Sequence, residues 1–589
     1  MKLKNKIITL GTIITMGVSL SSCSDFLEIK PLNDIVLENF WNEKSDVDNI
    51  VAGCYSAMQT QPFVDRCIIW GESRSDNMIG GNNIADVQSL SNIFKENINS
   101  SNEFTAWNSF YNIINRCNTV LKYAPSVAEK DPNYTHSDLL ATEAEVSALR
   151  DLCYFYLIRT FRDVPYYTYA YTDDSQNLAI PATKFDNVLD SLITDLEKVQ
   201  DNALKVYPET QSIYNTGRVT QDAIHAMLAD MYLWKGDYNN TVKYADMVIK
   251  SKMDKYKENL SSGTSGGVIY IVNGSIVSGG GTNKLINGFP LINDNSVTGN
   301  NYGNAFGTIF GSGNSNESIL ELTYESDNTM LSNAAISYRY GNATSNPGHI
   351  KPADFISTDI SDNSFTVFHN MYDTRSYENI RNISGTLYGI NKYTTSYGQV
   401  NFSTTTPKTT YGSPYAEKYC HTNWILYRLS DVMLMKAEAL SQMVNITDTT
   451  GTYHNYNDSI LRVAFNLVNA INKRSYGSTS STDTLKYTNF NTKQSMENLV
   501  FDERQRELMF EGKRWYDLVR RSRRDGNTTY LIRAVIRKFT EGSSAAQSKL
   551  SKMDGIYWPY NENELKVNSY LVQNPAFGSG ENSSYEISK

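Results

Sequence analysis

Residues 217–250 read GRVTQDAIHAMLADMYLWKGDYNNTVKYADMVIK, and the spacing of their apolar side chains decides the fold class. Ile224, Met227, Leu228 and Met231 recur at i, i+3, i+4 and i+7, which is one face of an α-helix. Lys235-Gly236-Asp237 interrupts the pattern, and Tyr238, Val242, Ala245 and Ile249 restart it. The stretch predicts two helices joined by a tight turn. Ala226, Ala229 and Ala245 fall where the helices would approach most closely.

The order MYLWKGDYNNTVKYA within it is similar to one tetratricopeptide unit, a helical hairpin with a period of about 34 residues. Working outward, TEAEVSALRDLCYFYLIRTFRDVPYYT predicts a long amphipathic helix ended by Asp163-Val164-Pro165, and KFDNVLDSLITDLEKVQDNAL a second helix after a loop. WILYRLSDVMLMKAEALSQM and DSILRVAFNLVNAINKRS predict another helical pair across a polar turn. The unequal distances between these hairpins argue against a regular solenoid. They predict a mainly α chain, an irregular tetratricopeptide-like scaffold.

Between about Ser261 and Cys420 the composition shifts to Gly, Asn, Ser, Thr and Tyr, with short β-like pieces such as GVIYIV and SILELTY. Its aromatic and β-branched content predicts ordered loops packed on the helices, the usual position of binding residues. Further on, ENLVFDERQRELMFEGKRWYDLVRRSRRDG carries acid-first pairs: Asp502 with Arg506, Glu511 with Arg514, and Asp517 with Arg521. Spacings of three and four predict a solvated helix face, with Leu508, Trp515, Leu518 and Val519 covering the other. The arginines between Arg520 and Arg524 are expected to answer the dipole at a helix C-terminus.

At 589 residues, with 20% charged and 40% hydrophobic residues, the chain suits a large folded body. A net charge of −9 argues against nucleic acid as partner, since phosphates are met by a basic face. Tyrosine is the unusual entry, 40 against 22 Phe and 7 Trp, and a phenol joins a flat apolar face to a polar tip, as a sugar-binding surface requires. The amino end runs from Lys2, Lys4 and Lys6 through the apolar stretch Ile7 to Leu20, the order of an export signal and too short for the roughly 20 residues that span a bilayer. Leu20-Ser21-Ser22-Cys23 resembles a bacterial lipobox, which makes Cys23 the expected site of lipid attachment. Two or more acyl chains would hold a water-soluble body on a membrane. The remaining cysteines, Cys54, Cys67, Cys117, Cys153 and Cys420, are too scattered for a disulfide framework, with room for one or two bridges.

Patterns for chemistry are sparse. The six histidines show no H-E-x-x-H spacing and no C-x-x-C occurs, so no metal or cofactor is expected. Gly263 to Gly267 matches G-x-S-x-G, but a loop leads into it where a nucleophile elbow needs a strand, and Ser265 is read as a loop serine. SGGGTNK lacks the ending of a phosphate loop, which leaves Lys284 without that role. A lipid-anchored hydrolase would need convergent acids, a spatial property that spacing alone does not reveal.

Six stretches in order resemble the SusD/RagB family of surface glycan-binding lipoproteins: CSDFLEIKP, ALRDLCYFYLIRTFRDVPYY, GRVTQDAIHAMLADMYLWKGDYNNTVKYADMVI, WILYRLSDVMLMKAEAL, DERQRELMFEGKRWYDLVR and WPYNENELKVNSYLVQNPAF. The resemblance implies an irregular tetratricopeptide-like scaffold, a loop-rich binding face, and a lipid-anchored place on the outer membrane. It also implies a TonB-dependent SusC-like transporter as partner, oligosaccharides or, in some branches, peptides as ligands, and no catalysis. The division that follows is a signal peptide at 1–22, a helical region at 23–255, a loop-rich ligand-binding region at 256–420 and a second helical region at 421–589. In WGESRSDNMIGGNN, Ile79, Gly80 and Gly81 stand where the starch-binding pattern places a ring, so starch is not the expected ligand. Arg74, Asp76 and Asn77 remain as hydroxyl partners, and SYRYGNATSNPGH offers Tyr338 and Tyr340 as stacking platforms.

Overall fold

The computed structural model describes residues 40–578 apart from 174, 178, 262–267, 273–274, 280–284, 295–300, 326–330, 342, 358–365, 369, 405, 417–418, 445–451 and 478–483. Cys23, Ser265 and Lys284 lie outside the described residues. Helices dominate. Those that matter here are α1 (Lys44–Met58), α2 (Gln61–Ile68), α3 (Asn108–Lys130), α4 (His136–Phe161), α5 (Phe185–Val199), α6 (Gln221–Lys235), α7 (Tyr238–Ser261), α8 (Ala334–Arg339), α9 (Leu429–Met443), α10 (Thr452–Arg474), α11 (Lys493–Leu508) and α12 (Arg514–Asp525). Strands are short; among them are β1 (Met78–Gly80), β2 (Val268–Val272), β3 (Ser275–Gly279), β4 (Ser318–Leu322), β5 (Ile350–Pro352) and β6 (Trp424–Arg428).

The hairpin read from residues 217–250 is α6 and α7. Gly236 takes the left-handed conformation (φ 80°), and the Asp237 amide donates to Tyr232 O at 3.0 Å, which closes α6. From Asp222 to Trp234 every side chain of α6 is buried, because α5, α7 and α9 pack around it. The long helix α4 begins at a capping box between Thr135 and Asp138. It differs from the amphipathic helix expected: from Ala144 to Phe161 it is buried on all sides, as a central rod with α3 and α5 against it. At the D-V-P turn, Arg162 adopts φ 69°, and Val164–Pro165 pairs antiparallel with Ala182–Thr183.

Two expectations change. WILYR does not begin a helix. It forms β6, antiparallel to β4, with every residue of both strands buried, and α9 starts only at Leu429. A short apolar run has no period to distinguish strand from helix, and the partner strand decides it. The charged stretch near residue 500 is likewise two helices, α11 and α12, broken where Phe510 and Gly512 both take positive φ. Most of its charges are interior, while Asp502 and Asp525 are exposed. Arg506 pairs with Glu503 instead of Asp502, Glu511 meets Arg428 and Lys392 instead of Arg514, and Asp517 meets Arg504 and Arg520 instead of Arg521. Arg523 and Arg524 lie in the last turn of α12, where the helix dipole favours them, and side chains meet the run as well: Arg520 pairs with Glu438, Arg523 with Asp186 and Arg524 with Glu497, while Arg521 lies 3.5 Å over the Tyr530 ring. The buried charges among them persist because opposite charges, some from the same stretch and some from other segments, neutralise them.

One apolar core runs from Trp41 to Leu571 and joins both helical stretches; a second lies under α9, α10 and α11, with Ile286 and Leu291 from the loop region. Cys54, Cys67, Cys117, Cys153 and Cys420 are buried free thiols.

Candidate functional site

The stretch WGESRSDN begins in a π-helical turn, Ile69–Ser73, that lies against the break between α11 and α12. The approach is backbone to backbone. A Cβ on Gly71 would fall 1.9 Å from Gly512 O, and one on Gly512 would fall 2.5 Å from Cys67 O. Glu72 accepts from Asn77 Nδ2 (2.7 Å) and from the amides of Phe510 (3.1 Å), Lys513 (2.9 Å) and Arg514 (3.2 Å), which caps α12 from a segment more than 400 residues away in sequence. Burial pushes its carboxyl up to about 7, against the pull of those donors. The Lys538 ammonium closes the far end of the turn on the carbonyls of Ser73, Arg74 and Ser75 at 2.8–3.2 Å, and burial lowers its pKa to about 8.

This lock consumes three of the five residues expected to meet ligand. Arg74 is 1% exposed, binds Glu96 at 2.8 Å and the Gly555 carbonyl at 2.7 Å, and lies 4.3 Å over the Trp515 ring. Asp76 is held by Arg514 at 2.9 Å; burial works to raise its pKa, and the guanidinium keeps it below the usual carboxylate range. Asn77 donates to Glu72 and accepts from Gln505 Nε2 at 2.8 Å. Tyr340 is also interior, its hydroxyl donating to Phe510 O at 2.8 Å. All four are scaffold groups, because each polar tip is committed to a buried partner.

The loops these residues hold do come together at a surface. β1 pairs with β5, which brings residues 81–87 beside residues 338–349. The Gly81 amide donates to His349 O at 2.8 Å, and a Cβ there would lie 2.8 Å from Gly348 O. A ring at that position is therefore excluded by the neighbouring loop. Tyr338, on α8, is 38% exposed. His349 lies half-buried beside it, its amide donating to Tyr338 O and its Nδ1 at 3.4 Å from Arg339, which Asp65 clamps at 2.6 and 2.8 Å. Burial and then the Arg339 charge lower the His349 pKa, so the imidazole is neutral at pH 7. Asn82, Asp86, Thr344 and Ser345 are exposed around it. The N-terminus of α8 is pinned to the segment that precedes β6 by Asn333, which bonds the Cys420 and Thr422 carbonyls; Tyr419 in that segment is 56% exposed. The sequence pointed to Tyr338 but not to His349, whose place beside Gly81 depends on the pairing of β1 with β5.

The face offers a phenol, a neutral imidazole, amide and carboxylate oxygens, and hydroxyls on a rigid backing, a set suited to an uncharged polyhydroxylated ligand. Among the described residues no group of three or more His, Cys, Asp or Glu is arranged to hold a metal ion. Asp294 and Glu378, two acids of the loop region that burial raises, line an interior cavity of about 20 Å³. That volume holds a water molecule and excludes a sugar ring.

Fold and face together define a mainly helical scaffold that presents surface loops. Residues 277–577 match the model of the SusD family, and residues 25–233 match a second model described as starch-binding, associating with outer membrane. The chain belongs to the SusD family. It is 27% identical to SusD-like protein P38 of Formosa agariphila over 97% of this chain and 99% of that one. Among solved structures, a SusD homolog from Bacteroides thetaiotaomicron superposes with a TM-score of 0.63 at 18% identity, covering 92% of this chain and 98% of its own. A laminarin-binding SusD-like protein superposes with a TM-score of 0.57 at 19% identity, covering 91% and 100%.

Proposed function

We propose that this protein is an outer-membrane lipoprotein, anchored through Cys23, that captures a glycan outside the cell and delivers it unaltered to a TonB-dependent SusC-like transporter. The observation that carries the reading is the face around Tyr338 and His349: an exposed ring and hydrogen-bonding groups on loops that a buried lock keeps in place. Family membership, the description of the second matching model and the laminarin-binding relative support glycan as the ligand class and the outer membrane as the location. No helix among the described residues is long and apolar enough to cross a membrane, which is compatible with attachment through acyl chains.

Affinity electrophoresis through gels containing laminarin, starch, xylan or mannan tests the reading. One of the polymers is expected to retard the wild-type protein and to be recovered with its chain length unchanged. Tyr338→Ala should weaken retention at least fivefold, the loss of more than about 1 kcal/mol that marks an anchor residue, without changing the melting temperature. Indifference to every polymer, coupled to binding of a peptide digest, would move the protein to the peptide-binding branch. Shortened polymer would make it a hydrolase. Cys23→Ala should shift the protein from the membrane fraction to the soluble one, and its retention in the membrane would contradict the anchor.

A further inference from the structure

The stretch PYYTYAYT, residues 165–172, follows the D-V-P turn and belongs to no part of the face just described. It is built on α3 and α4, whereas that face is built on β1, β5 and α8. Tyr167, Tyr169 and Tyr171 alternate along it, and their rings form one cluster: centroids are 5.4 Å apart for Tyr167 and Tyr169, 5.1 Å for Tyr169 and Tyr171, and 4.8 Å for Tyr167 and Tyr171. Tyr111 of α3 stacks beneath, 5.9 Å from Tyr167 at an interplanar angle of 18°.

Side chains hold this backbone in place of a partner strand. Asn115 accepts from the Tyr171 amide (2.8 Å) and donates to the Tyr171 carbonyl (2.9 Å), Asn118 donates to the Tyr169 carbonyl (3.1 Å), and the Tyr154 hydroxyl bonds both the amide and the carbonyl of Tyr167. The hydroxyls are ordered as well: Tyr169 and Tyr171 share a hydrogen bond of 2.9 Å, and Tyr171 donates to Asn177 O. Ordering a flexible aromatic segment on binding costs free energy, and here that cost falls on folding instead.

The geometry points to a second glycan subsite, with Tyr169 as its stacking platform. Tyr169 is 48% exposed, and the other side chains that 165–172 presents at the surface are tyrosines and threonines, with Ala170 and Pro165 buried. An aromatic face edged by hydroxyls and lacking aliphatic surface suits the C–H face of one or two sugar units better than an apolar protein interface. The inference rests on the glycan reading above and adds a consequence: a long polymer could bridge the two faces and bind by avidity.

Titration calorimetry with a hexasaccharide of whichever polymer among laminarin, starch, xylan and mannan retards the protein separates the cases. Two sites per chain are expected in the wild type and one each in Tyr169→Ala and Tyr338→Ala, with polymer retention reduced at least fivefold by either. Tyr169→Phe keeps the ring and should keep both sites, which distinguishes loss of the platform from loss of the fold. Unchanged stoichiometry and retention in Tyr169→Ala would overturn the second subsite while Tyr338→Ala still tests the first. A single site lost in Tyr169→Ala and kept in Tyr338→Ala would support this subsite and overturn the other. No binding by any of the polymers would overturn both.

Discussion

Arg514 and Asp76 are 438 positions apart and meet at 2.9 Å in the interior, and that single contact explains why residue type misleads here. A charged side chain in a polar loop reads as exposed, since Asp and Arg are seldom fully buried without a partner. The partner is what the local sequence conceals. Asp76, Arg74 and Asn77 follow this rule: their companions Arg514, Glu96 and Gln505 come from other segments, so the positions were legible as special and their role was not. Removing one member of such a pair leaves an uncompensated buried charge. Arg514→Met should therefore lower stability by about 3–5 kcal/mol in chemical denaturation. If Arg514 or Asp76 were instead a solvent-facing ligand group, the same substitution would leave stability within about 0.5 kcal/mol.

Gly236 and Gly71 show the same point for elements. The α6–α7 hairpin was legible because period, breaker and restart all lie within 34 residues of sequence, and the structure places the turn at Gly236. A Cβ there would touch nothing nearer than Tyr238 Oη at 4.0 Å, so Gly236→Ala pays only for the left-handed backbone, roughly 1 kcal/mol. Gly71 is the converse. The contact of its turn with the α11–α12 break is tertiary, and a methyl group 1.9 Å from Gly512 O forces the segments apart. Gly71→Ala should cost at least about 3 kcal/mol, at the upper end of overpacking effects. Thermal unfolding of both variants checks the contrast, and equal effects would show that the two segments do not interlock. The strand β6 was illegible for a related reason: WILYR carries no period of its own, and β4, the segment that fixes it as a strand, lies about 100 residues earlier.

Across the whole molecule, buried ion pairs join the loop region to the helices. Arg375, Arg428 and Arg474 converge on Glu507, while Lys392 and Arg428 hold Glu511. Burial alone would raise these carboxyls, and the surrounding cations instead hold Glu507, Glu511, Asp431 and Asp517 below their ordinary range. Groups with depressed folded pKa values contribute stability that is full above the unfolded carboxylate pKa, about 4, and is lost as pH falls further. Glu72, raised to about 7, works the other way, as do Asp151, Asp294, Glu321 and Glu378, whose carboxyls burial also raises; their contribution changes above about pH 4 and leaves the acid limb to the depressed groups. Denaturation midpoints should therefore fall steeply below about pH 4; a flat profile from pH 5 to pH 2 would show that the network carries little stability.

This framework exists, on the present account, to present loops that capture a glycan without altering it. Hydrogen–deuterium exchange of the full chain with and without the retarding polysaccharide tests that claim most directly. New protection is expected in residues 79–87 and 338–350, with the buried lock at residues 70–77 already protected in both states. Binding that protects neither segment would contradict it.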